Sequence, residues 1–196
     1  MTAFAFQPDG KIVIGGIFSA INGVGRTNLA RLNPNGSLDL TWNPAIDGSV
    51  TLLLIDGNNL FLAGPFRSLG GLERNGLAKA NLDDGQVDPN WNPNPVGQDF
   101  PYAGNPTEAP PDFRLISAMV SLGGNIFVAG DFVSIGGQNR TNLAKIEIEG
   151  AGRVDVRYRF EGLPARLSRP HDRPSRSVWA RTSRRDRGSR SRCSRL

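Results

Sequence analysis

One phrase is written three times in this chain, and recurrence at such a period confines a polypeptide to a few repeat architectures. The copies are Gly15-Gly16-Ile17-Phe18, Ala63-Gly64-Pro65-Phe66 and Ala129-Gly130-Asp131-Phe132. A second Gly follows in each (Gly23, Gly71, Gly137), then an Arg (Arg26, Arg74, Arg140), then Leu-Ala at 29–30, 77–78 and 143–144. Asp39, Asp88 and Asp155 close the three copies. Because every copy uses the same residues, the phrase constrains the scaffold far more than the function.

The spacing places three repeats at about 1–49, 50–115 and 116–155. Phe18 and Phe66 lie 48 residues apart, and Phe66 and Phe132 lie 66 apart. The surplus falls within Asn94–Arg114, which holds Pro95, Pro101, Pro106, Pro110 and Pro111. Proline fixes φ and withholds a ladder donor, so this stretch reads as an extended loop.

Each repeat reads as four short β segments. The first is Thr2–Phe6 and its later copies, ending at Asp9-Gly10, Asp56-Gly57 or Gly123-Gly124, dipeptides suited to tight hairpins. The second, as in Lys11–Ile14, is an apolar run with no polar face, as in a strand covered on both sides. Its closing Gly (Gly16, Gly64, Gly130) marks a bend or a close backbone approach. A loop through Asn22-Gly23, Gly70-Gly71 or Gly136-Gly137 leads to the third segment, and a further Gly turn leads to a fourth, Ser37–Trp42 or Gln86–Trp91. Trp42 and Trp91, each followed by Asn-Pro, are expected to pack against the adjacent repeat. The third copy has Tyr158 at this station and no Asn-Pro.

Four short strands every 45 or so residues fit one propeller blade, and propellers have about four to eight. The fold class is therefore all-β: an incomplete β-propeller of three blade-like four-stranded repeats. The stretches Gln7–Phe18, Asn28–Asn33 and Gly36–Asp39 resemble the delta-60 repeat of bacterial β-propeller-like proteins, and the double Gly and late Trp are similar to kelch blades. The resemblance covers residues 1–155. It implies a large, secreted or surface-attached repeat protein, hence an extracellular or cell-surface location. The chain opens inside a repeat, as expected of a fragment of something longer. No signal peptide is visible at Met1–Gly10, and no apolar run approaches the length needed to cross a bilayer.

Composition separates the repeats from the C-terminal tail. Residues 1–155 carry 10 Lys+Arg against 15 Asp+Glu, whereas 156–196 carry 13 Arg, no Lys and 3 acids. The mildly acidic body has no footprint for nucleic acid; the basic Arg/Ser/Pro-rich tail is the one part that could supply it. Such a tail is expected to be disordered. It reads either as an out-of-frame extension, a solvated tail, or a nucleic-acid or membrane-surface arm.

His171 and Cys193, the only His and Cys, both lie in the tail, so His-based triads and Cys/His zinc sites are unavailable to the body. No catalytic residue, metal or cofactor is expected. The Asn/Asp/Gly turns at 33–39 and 83–88 lack EF-hand spacing. Arg26, Arg74 and Arg140 are expected to brace Asp39, Asp88 and Asp155 as structural ion pairs. The binding candidates lie in the unrepeated loop: Asp99, Phe100, Tyr102, Glu108, Asp112 and Phe113, facing an unknown protein or glycan. The leading function is a non-enzymatic scaffold or binding module. The alternatives are a hydrolytic, carbohydrate-active propeller using Glu73, Asp99, Glu108 or Asp112, and a self-assembling lectin-like module. Further blades, or copies of the chain itself, would complete the ring.

Overall fold

The computed structural model describes residues 1–97 and 115–158. The described residues form strands, turns and no helix. Every repeat builds one three-stranded antiparallel sheet with its second strand in the middle. In the first repeat these are β1 (Ala3–Phe6), β2 (Ile12–Gly15) and β5 (Leu29–Leu32). In the second they are β6 (Leu52–Asp56), β7 (Asn59–Ala63) and β10 (Leu77–Asn81), and in the third β12 (Ala118–Leu122), β13 (Asn125–Ala129) and β16 (Leu143–Glu147). The first strands are neighbours along the array, β1 beside β6 and β6 beside β12. The result is an incomplete β-propeller of three blade-like repeats.

The fourth segment of each blade joins the sheet through a single bridge: Leu32 with Leu38, Ala80 with Val87, and Ile146 with Val154. The expected ladder stops there for a local reason. The carboxylates of Asp39, Asp88 and Asp155 accept the amides of Thr41, Asn90 and Arg157, two residues on. Such side-chain capture turns the backbone away from a ladder.

An extra two-stranded hairpin stands between the second and third strands. It comprises β3 (Ala20–Ile21) and β4 (Val24–Gly25), β8 (Ser68–Leu69) and β9 (Leu72–Glu73), or β14 (Phe132–Ile135) and β15 (Gln138–Asn139). Its turn is the Asn22-Gly23, Gly70-Gly71 or Gly136-Gly137 pair, both residues at positive φ in every copy. That is the signature of a two-residue hairpin whose twist suits its strands. After each Trp the chain crosses to the next repeat's hairpin. Ile46 bridges Leu69, and β11 (Val96–Gly97) pairs with β14.

The two larger core clusters lie in the seams between blades. One cluster joins Val13, Leu29, Trp42 and Val50 to Leu60, Leu62 and Ala78. A second joins Phe61, Leu77 and Trp91 to Ile126, Val128 and Ala144. The glycine that closes each second strand lets backbones meet. A Cβ on Gly64 or Gly130 would collide with the carbonyl oxygen of Ser49 or Leu115, and one on Gly16 would lie 2.7 Å from the Met1 Cα.

Candidate functional site

The six loop candidates, Asp99, Phe100, Tyr102, Glu108, Asp112 and Phe113, lie outside the described residues, as does the tail beyond Tyr158. Of the non-repeated acids, Glu73 is described and stands exposed on β9. The chemistry on view is the charged station that every blade repeats.

At this station the sequence expectation of Arg–Asp ion pairs is corrected. The carboxylate of Asp39 pairs with Arg31, at 3.0 Å to Nε and 2.9 Å to Nη2. Asp88 pairs with Lys79 at 2.9 Å, and Asp155 with Lys145 at 3.0 Å. The reason is register. The Asp amide bonds the carbonyl of this same residue on the third strand, at 2.8 Å to Arg31, 2.9 Å to Lys79 and 2.8 Å to Lys145. That bond holds the two side chains together. Arg74 and Arg140 instead donate to the backbone carbonyls of Asp88 (2.6 Å) and Asp155 (2.8 Å), and Arg26 donates to that of Leu40 (3.1 Å). They tie the hairpin to the fourth segment through the main chain, where the forked guanidinium serves as a donor.

The signal for the true partners was present. Each Leu-Ala of the repeated phrase is followed by a base, Arg31, Lys79 or Lys145. Two of these bases also cross the seams. Arg31 Nη1 donates to the Leu82 and Asp83 carbonyls at 2.8 Å each, and Lys79 Nζ to that of Ile148 at 2.8 Å. Arg31 and Lys79 are buried, and both their charges and their donors are matched.

Burial alone would raise the Asp39 carboxyl, but hydrogen bonds from Thr41 and Arg31 and the Arg31 charge outweigh it, holding the group down to about 2. Asp88 shows the same contest, with burial outweighed by Lys79 and the amides of Asn90 and Trp91. Asp155 is lowered chiefly by the Lys145 hydrogen bond. Burial lowers the Arg74 guanidinium, against the opposing pull of Asp88.

The aromatic station completes the unit. Trp42 and Trp91 are fully buried. Arg31 lies over the Trp42 ring at 5.3 Å. Trp91 meets Phe61 edge to face at 5.3 Å and donates Nε1 to the Glu147 carbonyl at 2.9 Å. Tyr158 repeats this against Phe127 at 5.2 Å, with Lys145 Nζ 5.9 Å from its ring. Each arrangement serves packing and bracing. Among the described residues no three His, Cys, Asp or Glu side chains converge as metal ligands.

A protein-family model described as "Domain of unknown function (DUF5122) beta-propeller" matches residues 7–41 and 124–150, about a third of the chain. The matched segments are most of the first blade and the second-strand-to-turn portion of the third. This supports a β-propeller-like repeat family. No curated protein and no solved structure matches the chain.

Proposed function

We propose that this chain is a non-enzymatic scaffold or binding module of a secreted or surface protein of the delta-60 kind. Its repeats run over about 1–49, 50–115 and 116–155, and it recognises a protein or glycan through the unrepeated Asn94–Arg114 loop. One observation carries this reading: the base–Asp pair recurs in all three blades with both partners engaged in bracing the fold. A recognition or catalytic site on a shared scaffold differs from blade to blade, so the repeated groups belong to the scaffold. The loop is then the one passage of the repeat region with its own aromatics and acids.

The test sets the full chain beside a Phe100→Ala, Tyr102→Ala, Phe113→Ala variant on immobilised glycan and peptide panels. Chromogenic glycosides are assayed in parallel. The expected result is saturable binding that weakens roughly tenfold or more in the variant, with no turnover. Glycoside turnover abolished by Glu108→Gln would overturn the non-enzymatic reading. Binding indifferent to the triple substitution, or no binding at all, would overturn the role of the loop.

A further inference from the structure

Both internal seams are built alike, a giving face of one blade against a receiving face of the next. The giving side supplies Leu29 and Trp42 in the first seam and Leu77 and Trp91 in the second. The receiving side supplies Leu60 and Leu62, then Ile126 and Val128. Polar contacts run in the same direction, from Arg31 to Leu82 and from Lys79 to Ile148.

The two ends of the array carry one unmatched half of each kind. On the first blade, Ile14, Ile21, Ala30 and Leu38 form a separate small cluster at the stations where Leu62, Leu69, Ala78 and Val87 meet a neighbour. Phe4 and Phe6 touch edge to face at 5.6 Å and are 67% and 66% exposed. Their counterparts Leu53 and Ile55 pack into the first seam. Gly36 is exposed, with no atom within 4 Å of where a Cβ would stand. Its counterparts Gly85 and Gly152 are buried beneath Trp42 and Trp91.

The third blade carries the opposite half. Phe127, Leu143 and Lys145 are half-buried, whereas Phe61, Leu77 and Lys79 at the same stations are buried. Val120 and Leu122 are 56% and 71% exposed on β12. Exposed apolar side chains gathered on one face mark an interaction surface.

We propose that these faces are the two halves of a third seam, formed between molecules, and that two copies of this chain join head to tail. The internal seams show what each face accepts. Tyr158 of one copy lies over Gly36 of the other. Lys145 extends to the carbonyl of Pro34, the residue at the station of Leu82 and Ile148. A head-to-tail contact either closes into a ring or runs on as a filament. Chains of three blades give multiples of three, and six is the only multiple within the range of about four to eight blades that propellers adopt. Two copies therefore close the ring, with two identical seams.

Light scattering on the full chain across micromolar concentrations tests this. The expected mass is twice the 21.1 kDa of one chain. Phe6→Glu damages the receiving face and Val120→Glu the giving face, so each alone gives a monomer. Mixing the two variants restores one undamaged seam and a heterodimer. Phe4→Glu with Leu143→Glu, at the station of Leu29 and Leu77, repeats the experiment at independent positions, and circular dichroism verifies that each variant keeps its sheets. A monomeric parent chain would overturn the proposal, leaving these faces to repeats of another polypeptide. A dimer indifferent to Val120→Glu would overturn it in favour of pairing between two Phe faces. An open-ended ladder of masses would overturn closure by two copies.

Discussion

Trp91 of the second blade occupies the space that a side chain on Gly152 of the third would need. A Cβ there would lie 2.7 Å from the indole nitrogen. The same relation links Trp42 to Gly85, at 3.0 Å. The glycine of each turn is thus the socket for the preceding blade's indole, and sequence, seam and blade order meet at that contact.

Gly152→Ala and Gly36→Ala separate the socket from the turn. Both residues have positive φ, so both substitutions carry the strain of a left-handed alanine, about 1 kcal/mol. At Gly152 the methyl also displaces Trp91, an overpacking cost of roughly 1–3 kcal/mol. Urea unfolding of the monomer is expected to show Gly152→Ala the more destabilising by that margin. Equal losses would mean that the indole is not seated there.

Asp39 makes the first blade sensitive to acid. Its folded-state carboxyl sits at about 2 against an ordinary 3.8, so its stabilisation is full above the ordinary value and is lost as pH falls through about 2. The difference is worth about 2 kcal/mol. Asp39→Asn is expected to lose roughly this much at neutral pH and to flatten the decline of stability between pH 5 and 2. Parallel profiles for the two proteins, measured by urea unfolding, would contradict the pairing.

Lys79 ties the second seam through Asp88 and the Ile148 carbonyl. Lys79→Ala strands both acceptors in a largely buried site, and a loss of about 2–4 kcal/mol is expected. Lys145→Ala is expected to cost much less in the monomer, because Lys145 is a quarter exposed and hydrogen-bonds Asp155 alone among the described residues. Thermal unfolding of the two variants checks the order.

Arg74→Lys removes the fork that spans the Glu73 and Asp88 carbonyls at 2.7 and 2.6 Å. An ammonium on that stem reaches one of the two, so a loss of about 1–2 kcal/mol is expected by urea unfolding. Full retention of stability would mean that the guanidinium braces nothing.

The blade pattern was legible because its devices are local. Gly16, Gly64 and Gly130 announce close backbone contact, and the Trp stations announce a seam. Two features were not legible. The extra hairpins have strands as short as the two residues Ala20–Ile21, too short to show alternation, although Asn22-Gly23 marks their turn. Spacing points the aspartates at Arg26, Arg74 and Arg140, because these recur as visibly as the aspartates do. Arg31, Lys79 and Lys145 are set opposite those aspartates by ladder register, which spacing along the chain does not display.

Acrylamide quenching of tryptophan fluorescence tests the central claim, that each indole is sealed beneath the next blade. Trp179→Phe leaves Trp42 and Trp91 as the two emitters. Both are fully buried, so both are expected to resist quenching in the folded chain and to become accessible together in one unfolding transition. Quenching of either indole at the unfolded-chain rate under native conditions would contradict the account.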